Sequence, residues 1–432
     1  MSVRAGRRDF GAVVHFVAVG AVVVGAVVVA HDSVVVAAVV VAATLLLAVL
    51  AIGGFEGAAT AVLVLAVFLA PMNVVRPIGG VVTASDMALV VGFVLLAPLL
   101  VTRRLRLPAS FVAGHLVLGV LGLAVSMTAL DPAASLNFLS RLVAGALVIP
   151  LVLVWWCPPA RTIRTLAWAY VAGSAVSLAW GYLVAGPENG RYLGLTSHPN
   201  ALGTTAMLAV AFSLFLLHEA RPSGRPWALL GIVVSLVGVL ASGSRASLLV
   251  AGMLVVLYPL ITRSLTTGVV VALGGIVVIA RLGLVPQDVT DGNALSRLLG
   301  GGAASASDLE REEAYRIALA ELREHPFLGG GFEQALAAHN IYLQVAVSVG
   351  VLGLIGYLLV VGAFLRPFVA RDLSGVLVLL PALAYFALGT LSNILWDRYV
   401  WCALAVALAG WVRHQRDQES ESEQPSAVAR SG

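Results

Sequence analysis

The chain has 432 residues, of which 60% are hydrophobic and 11% are charged, against about 25% charged in an average soluble domain. A soluble fold cannot bury so much apolar surface, so the composition predicts an integral membrane protein with many spans. Two cysteines and a net charge of +4, with no long basic run, exclude a disulfide scaffold, a Cys/His zinc module and a nucleic-acid-binding domain.

Runs of apolar residues predict an all-α polytopic membrane protein with about 12–14 transmembrane helices, because about 20 such residues cross a bilayer as a helix. The stretch 227–261 fits either two spans or one broken hairpin. In chain order, the candidate spans are 10–30, 33–51, 54–70, 86–101, 108–129, 141–156, 163–185, 199–217, 227–241, 246–261, 266–284, 340–365, 373–392 and 397–412.

The arginines predict the orientation of these spans, because short cytoplasmic loops are enriched in basic residues. If the spans alternate, one side holds the arginines at 4–8, 103–106, 161–164, 221–225, 263, 366–371 and 413–416. We therefore predict a multi-pass protein of the cytoplasmic (inner) membrane with both termini in the cytoplasm. The segments 130–140, 186–198, 242–245 and 285–339 then lie on the extracytoplasmic side.

The span pattern divides the chain into an N-terminal transmembrane bundle (1–284), a long extracytoplasmic loop (285–339) and C-terminal transmembrane helices (340–412). The polar residues 413–432 are predicted to form a disordered cytoplasmic tail. Within the loop, a serine with a glutamate three residues later is a helix-capping pattern and predicts a helix over about 308–324. A triglycine that follows this helix permits a tight turn before the chain re-enters the membrane.

Three arginines on the predicted outer side, Arg191, Arg245 and Arg311, run against the sorting rule and are candidates for function. Guanidinium groups bind phosphate in a bidentate manner, so their convergence would indicate an anionic, lipid-anchored ligand such as a polyprenyl pyrophosphate. The turn before Arg245 is expected to offer free backbone N–H groups for the same anion. The alternatives are an interface anchor for Arg191 and a snorkelling side chain for Arg245.

His339 opens a span directly after the long loop, where a neutral imidazole could take a proton from an attacking hydroxyl. The alternative for His339 is a helix-capping group in contact with water. The sequence contains no His/carboxylate set with metal-ligand spacing, no Asp-x-Asp pair and no Walker A motif, so it predicts neither a metal nor a cofactor.

A set of short polar motifs occurs in a fixed order over about 190–355, in one long outer loop and the spans around it. The motifs are R-Y-x-G at 191–194 leading to H-P-N at 198–200, S-G-S-R-A at 242–246, R-x-x-x-Y at 311–315, H-P-F-L-G-G-G at 325–331, and H-N-x-Y-L-Q at 339–344 followed by Gly350 and Gly353. In this order, the motifs resemble the O-antigen ligase / O-antigen polymerase family of bacterial membrane glycosyltransferases. Tyr315 stands where many relatives have tryptophan.

The resemblance implies a metal-independent transferase that moves a glycan from undecaprenyl pyrophosphate to an acceptor hydroxyl, with inversion, on the outer face of the membrane. It implies that Arg191 and Arg245 hold the pyrophosphate, with Arg311 as a further candidate, and that His339 acts on the acceptor hydroxyl. The expected partners are the lipid-linked donor, a glycan, lipid or wall acceptor, and membrane lipids, but no nucleic acid. The supporting residues are His198, Asn200, Ser244, Asn340 and Tyr342.

Polymerase and ligase are not separable here, because they share the donor chemistry and differ only in the acceptor. Two other classes of function remain open. A transporter or flippase of an anionic lipid-linked substrate predicts broken helices and polar sites near the middle of the membrane. A non-catalytic scaffold for envelope assembly predicts that the outer arginines are dispersed.

Overall fold

The computed structural model describes residues 53–76, 82–267, 269, 294–298, 304–333, 338–370 and 372–422. The chain divides into two compact units. One unit consists of Met1–Val64 and Ala88–Arg103, and the other of Leu65–Met87 and Arg104–Gly432. Across the described ranges the regular secondary structure is helical, with no β-strand. This confirms the predicted all-α fold class.

The helices are numbered in chain order. They are α1 (Gly53–Leu69), α2 (Ala84–Leu100), α3 (Ala109–Thr128), α4 (Pro132–Trp156), α5 (Ala160–Ala185), α6 (Pro199–Glu219), α7 (Arg225–Ala241), α8 (Arg245–Thr262), α9 (Ala294–Leu298), α10 (Ala304–Glu324), α11 (Ile341–Ala370), α12 (Leu373–Val378), α13 (Leu380–Gly389) and α14 (Arg398–Ser422). Both α4 and α5 contain a π-helical turn.

Among the described residues, α3 to α8 and α11 are long and apolar enough to cross a membrane, seven helices in all. The chain is therefore a multi-pass membrane protein. For the stretch 227–261, two spans are favoured over one broken hairpin, because α7 with its preceding turn and α8 are each long and apolar enough to cross a membrane. The predicted spans 10–30 and 33–51, and nearly all of 266–284, lie outside the described residues.

Three boundaries differ from prediction because hydropathy marks where a segment enters the membrane and not where its helix begins or ends. Most of the predicted outer segment 130–140 belongs to α4, where the Asp131 carboxylate accepts from the Ala134 amide at 3.0 Å. The predicted span 373–392 is two short helices, α12 and α13. The first half of the predicted disordered tail continues α14 to Ser422, supported by an ion pair between Arg413 and Asp417 at 2.7 Å.

In the first unit, the described residues form part of α1 and α2. Leu63 packs where Gly92 leaves room, since a Cβ on Gly92 would lie 2.6 Å from the Leu63 side chain. An ion pair joins Arg103 to Glu56 at 3.0 Å. The glutamate in this short apolar helix is thus partnered, as a charged group near lipid requires.

In the second unit, the core is built on α6 and the apolar part of α14, whose side chains are almost all buried. At the start of α6, Gly203 lies directly under the turn between α7 and α8. A Cβ on Gly203 would come within 2.7 Å of both the Ser242 hydroxyl and the Ser244 Cβ. The glycine therefore lets this turn pack directly on the buried helix α6.

Helix α11 is broken at Val349 and Gly350, and residues 326–331 enter the break. The Gly330 and Gly331 amides donate to the carbonyls of Val347 and Ser348 at 2.9 and 3.1 Å. The inserted segment thereby satisfies backbone groups that the break leaves without helical partners. We call residues 326–331 the plug. They include the triglycine predicted to form a tight turn, and they attach the end of α10 to α11.

The plug also aligns α10 along the first turns of α11. Ala318 and Leu322 of α10 pack against Ala338, Leu343 and Val347 in one apolar cluster. Because the cluster and the plug act together, the loop helix has a defined position next to the start of α11.

Replacing Gly350 with alanine is expected to lower the free energy of unfolding by about 2 kcal/mol or more. Gly350 has φ +69°, and a Cβ would lie 2.0 Å from the Phe327 carbonyl oxygen, so left-handed strain adds to overpacking. Gly362→Ala is the matched control in the same helix, because nothing lies within 4 Å of its Cβ. Thermal unfolding in detergent checks the pair, and equal midpoints would show that the plug does not hold α11.

Candidate functional site

The candidate site is assembled from four pieces of the second unit. They are the loop before α6, the turn between α7 and α8, the α9 and α10 helices, and the start of α11. Hydrogen bonds from arginine side chains tie the first three pieces together. The fourth is joined through the contact of α10 with α11.

The turn between α7 and α8 presents carbonyl groups to the site. Its Gly243 amide donates to the Leu240 carbonyl at 3.2 Å, and its Ser244 amide donates to the Ser242 hydroxyl at 3.1 Å. The Ser244 hydroxyl accepts from the Ser247 amide and so caps α8. The expectation that this turn offers these amides to an anion is therefore wrong, because short-range bonds within the turn already use them.

Arg191 bridges the loop before α6 to this turn. Its Nε donates to the Ser242 carbonyl at 2.8 Å, and its Nη2 donates to the Asn200 side-chain oxygen at 2.6 Å. These contacts hold the guanidinium within the fold, so Arg191 is not a free interface anchor.

Arg245, the first residue of α8, forms a bidentate ion pair with Asp308 of α10, with Nη1 at 3.0 Å from Oδ2 and Nη2 on Oδ1. The Arg245 side chain is 17% exposed and that of Asp308 is 55% exposed. The capping pattern at 307–310 predicts a helix that starts at residue 308, but α10 begins at Ala304. Asp308 therefore lies within the helix, and its ion pair with Arg245 fastens α10 to the site.

Arg297 of α9 is a fourth arginine at the site that the sequence analysis did not single out. Its Nη1 donates to the Gly243 carbonyl at 2.9 Å, next to the carbonyl that Arg191 engages. Arg297 belongs to the predicted outer loop, so the same rule that selected Arg311, a basic residue on the non-cytoplasmic side, could have found it.

The arginines lie close enough to perturb one another. Burial, together with the positive charges of Arg297 and Arg311, lowers the pKa of Arg191 to about 10. Burial, Arg245 and Arg311 likewise lower the pKa of Arg297. Because a guanidinium stays protonated even so, the site holds four positive charges, each of which acts electrostatically on at least one of the others.

Asp308 is the acidic partner in this group. The hydrogen bond from Arg245 lowers the pKa of its carboxyl, so it is ionised at neutral pH. The carboxylates of Asp308 and Glu310 are outnumbered by the four guanidinium groups, so the site is left positive. A positive site of this kind favours an anion.

His339 lies beside the arginines in a left-handed backbone conformation with φ +46°. Burial and the charge of Arg311 lower the pKa of its imidazole, while Glu310 acts in the opposite direction. Within the described residues, no hydrogen bond engages the ring. His339 is therefore neutral at pH 7 and has its nitrogen atoms available.

Asn340, and not His339, caps α11. Its side-chain oxygen accepts from the amides of Tyr342 and Leu343 at 2.9 and 3.0 Å. Its Nδ2 donates to the Tyr315 hydroxyl at 3.2 Å and to the Thr390 carbonyl at 3.1 Å. The tyrosine at position 315 thus ties α10, α11 and the end of α13 together, and the capping alternative for His339 is excluded.

The other predicted supporting residues have structural contacts. The His198 Nδ1 accepts from the Asn200 amide at 3.1 Å and caps α6, which requires a neutral Nδ1. Partial burial and the Arg191 charge lower the pKa of His198 and favour this state. The Tyr342 hydroxyl donates to the Phe386 carbonyl at 3.0 Å, so it points into the bundle and away from the arginines.

The structure therefore brings Arg191, Arg245, Arg311 and His339 into one site, together with Arg297. His198, Asn200, Ser244 and Asn340 surround this group as capping and positioning residues.

Comparison with known proteins gives one family. Residues 230–358 match the family model described as O-Antigen ligase. The match contains Arg245, Arg297, Arg311 and His339, whereas Arg191 lies before it. Among curated proteins, no relative matches the chain.

Proposed function

We propose that this chain, whose residues 230–358 match the O-antigen ligase family model, transfers a glycan from undecaprenyl pyrophosphate to an acceptor hydroxyl. The match supports a membrane glycosyltransferase-like enzyme of surface polysaccharide assembly. The proposal adds the donor, the acceptor group and the outer face of the cytoplasmic membrane as the place of reaction.

The observation that carries the proposal is the group of four arginines beside a neutral histidine. In the proposed reaction, negative charge develops on the pyrophosphate oxygens as the bond to the sugar breaks. Positioned guanidinium groups stabilise that charge most effectively in a partly water-excluded site. Arg191 and Arg245 are held by protein contacts, so they would meet the leaving group with little reorganisation.

His339 would act as the general base. The acceptor hydroxyl attacks the anomeric carbon, its proton passes to a ring nitrogen of His339, and the bonding electrons leave with the pyrophosphate. A single displacement with the base and the leaving group on opposite faces inverts the anomeric configuration. The charge on the leaving group is carried by arginines in this scheme, so the proposed reaction requires no metal.

Helix α11 bears on the alternative of a transporter, because a broken helix is a feature of transporter sites. Here residues 326–331 fill the break, with the Val351 amide donating to the Pro326 carbonyl at 2.9 Å. The backbone groups that a substrate would use are taken by the chain itself. The site arginines lie with His339 near the start of α11, and their positive charge is not balanced by carboxylates. This placement favours chemistry at that end of the helix.

A reconstituted transfer reaction tests the proposal. Purified full-length protein is mixed with an undecaprenyl-pyrophosphate-linked oligosaccharide and a hydroxyl acceptor in the presence of EDTA. We expect release of undecaprenyl pyrophosphate and an extended glycan whose new linkage has the opposite anomeric configuration by NMR. Movement of the lipid across vesicles without cleavage would favour the flippase instead, and loss of activity in EDTA would overturn metal independence.

The pH profile of kcat/KM provides a further prediction. The base must be neutral, and burial with Arg311 lowers the pKa of His339 below 6.5. Activity is therefore expected to stay constant from neutral pH down to about 6.5 and to fall below it as the imidazole is protonated.

The residual activity of Arg311→Gln should show this acid limb at higher pH, because a charge that lowers the His339 pKa is gone. Arg316→Gln is the matched control on the same helix, since Arg316 is exposed and pairs with Glu313. An acid limb that does not move in Arg311→Gln would contradict the assignment of His339 as the base.

A further inference from the structure

A cavity of about 180 Å³ lies at the end of the helices away from the candidate site. It is formed by the residues just before α3, the end of α11 and the last turns of α14. Arg366 on its wall is about 35 Å along α11 from the start of that helix, at roughly 1.5 Å per residue. The volume far exceeds the roughly 10–15 Å³ that one water molecule requires.

The charge of the cavity wall is not balanced. Its ionised side chains are Arg106, Arg366, Arg416 and Glu419, so arginines outnumber carboxylates by three to one. Arg106 pairs with Glu419 at 2.7 Å. The other two arginines, Arg366 and Arg416, have no carboxylate partner among the residues that line the cavity.

The two remaining guanidinium groups, those of Arg366 and Arg416, have N–H donors that form no hydrogen bond with the described protein atoms. In the part of the chain that the structure describes, no hydrogen bond or ion pair engages Arg366. Arg416 donates from Nη2 to the Arg104 carbonyl at 3.3 Å, while its Nε is buried and unpartnered. A buried donor without an acceptor costs roughly 1–3 kcal/mol, so Arg416 would gain from an added acceptor. Arg366 is exposed, and its guanidinium is open to a ligand that enters the cavity.

A neighbouring cavity at the same end provides the internal comparison. Its wall also carries three basic side chains, but each has a carboxylate partner within the protein. Those pairs are Arg164 with Glu219, Arg413 with Asp417, and His414 with Asp372. The unbalanced charge therefore distinguishes the cavity at Arg366 from its neighbour.

The chemistry of the wall indicates the ligand. Guanidinium groups match the oxygen atoms of a phosphate. Leu107, Pro108, Trp411, Val412 and Gln415 line the rest of the cavity, and α3 and α11, which adjoin it, are apolar. Basic pockets between transmembrane helices bind anionic lipid head groups on the cytoplasmic side, which is the side that the arginines predict for this end.

We propose that the cavity between Arg366 and Arg416 binds the phosphate head group of an anionic phospholipid. The site is separate from the arginines around His339 and does not depend on the proposed transferase reaction. Phosphatidylglycerol is a suitable probe, because it presents one phosphate and two acyl chains that can follow the apolar helices.

Thermal unfolding of the full-length protein in detergent tests the site. The midpoint is measured against increasing phosphatidylglycerol, phosphatidylcholine or inorganic phosphate. Phosphatidylglycerol is expected to raise the midpoint, because a ligand that binds the folded state stabilises it. An equal rise with phosphatidylcholine would overturn the role of the arginines, and an equal rise with inorganic phosphate would show that the ligand is not a lipid.

Arg366→Gln is the main variant, since it removes a charge without breaking a described protein contact. The half-saturating concentration of phosphatidylglycerol should rise about tenfold, the effect of losing one charged hydrogen bond. Arg416→Lys should weaken binding in the same direction. Arg161→Gln is the matched control, because Arg161 is exposed at the start of α5 and outside the cavity. Equal weakening in the control would refute a specific site.

Discussion

Replacing His339 with alanine is expected to abolish long surface glycan in a complemented deletion strain and to cause the lipid-linked precursor to accumulate. Loss of a general base lowers the rate by about 10²–10⁴. The protein should remain at its normal level in the membrane, because Asn340 caps α11 and His339 makes no hydrogen bond to a described residue. Glycan chain length and precursor content, normalised to membrane protein, provide the measurement.

His325→Ala is the matched control for this experiment. His325 is an exposed histidine at the end of α10 whose backbone carbonyl, and not its ring, accepts from Gly329. The control should retain normal glycan. If His339→Ala also makes normal glycan, His339 is not the base and the site acts by other means.

Replacing Arg311 with glutamine is expected to lower kcat by about 10²–10³, the usual cost of removing one group that stabilises transition-state charge. The thermal midpoint should not change. The reason is that no hydrogen bond to a described residue holds the Arg311 side chain, although its charge acts on Arg191, Arg297 and His339. Transfer kinetics and thermal unfolding on the same preparation separate the two effects.

Two variants sharpen this test. Arg316→Gln, on the exposed face of the same helix, should keep both activity and stability. Arg311→Lys keeps the charge but loses the planar, bidentate fork, so it should recover only part of the lost rate. Full activity in Arg311→Gln would place Arg311 outside the reaction, and a lowered midpoint would indicate a structural role.

The match to the O-antigen ligase family begins at residue 230, yet one of the four arginines precedes it. Arg191 reaches the matched region through the Ser242 carbonyl, across 51 residues of sequence. The proposed site is therefore a joint product of the matched region and the loop before α6.

Hydropathy by itself determined the membrane class and nearly every described span, because burial in lipid is a local property of about 20 residues. The order of polar motifs predicted the resemblance to the O-antigen ligase family, whose model matches residues 230–358, and selected Arg191, Arg245, Arg311 and His339. Each of these inferences uses only a short stretch of the chain. The free energy of placing an apolar segment in lipid depends little on the rest of the fold.

Only the tertiary structure decided which polar groups meet. Arg297 reaches Gly243 across 54 residues, and Arg245 reaches Asp308 across 63. The triglycine became a plug because a break in α11 offers free backbone groups at that depth. Such contacts depend on how helices pack and on which polar groups lack a local partner, and neither can be read from the pattern of any one segment.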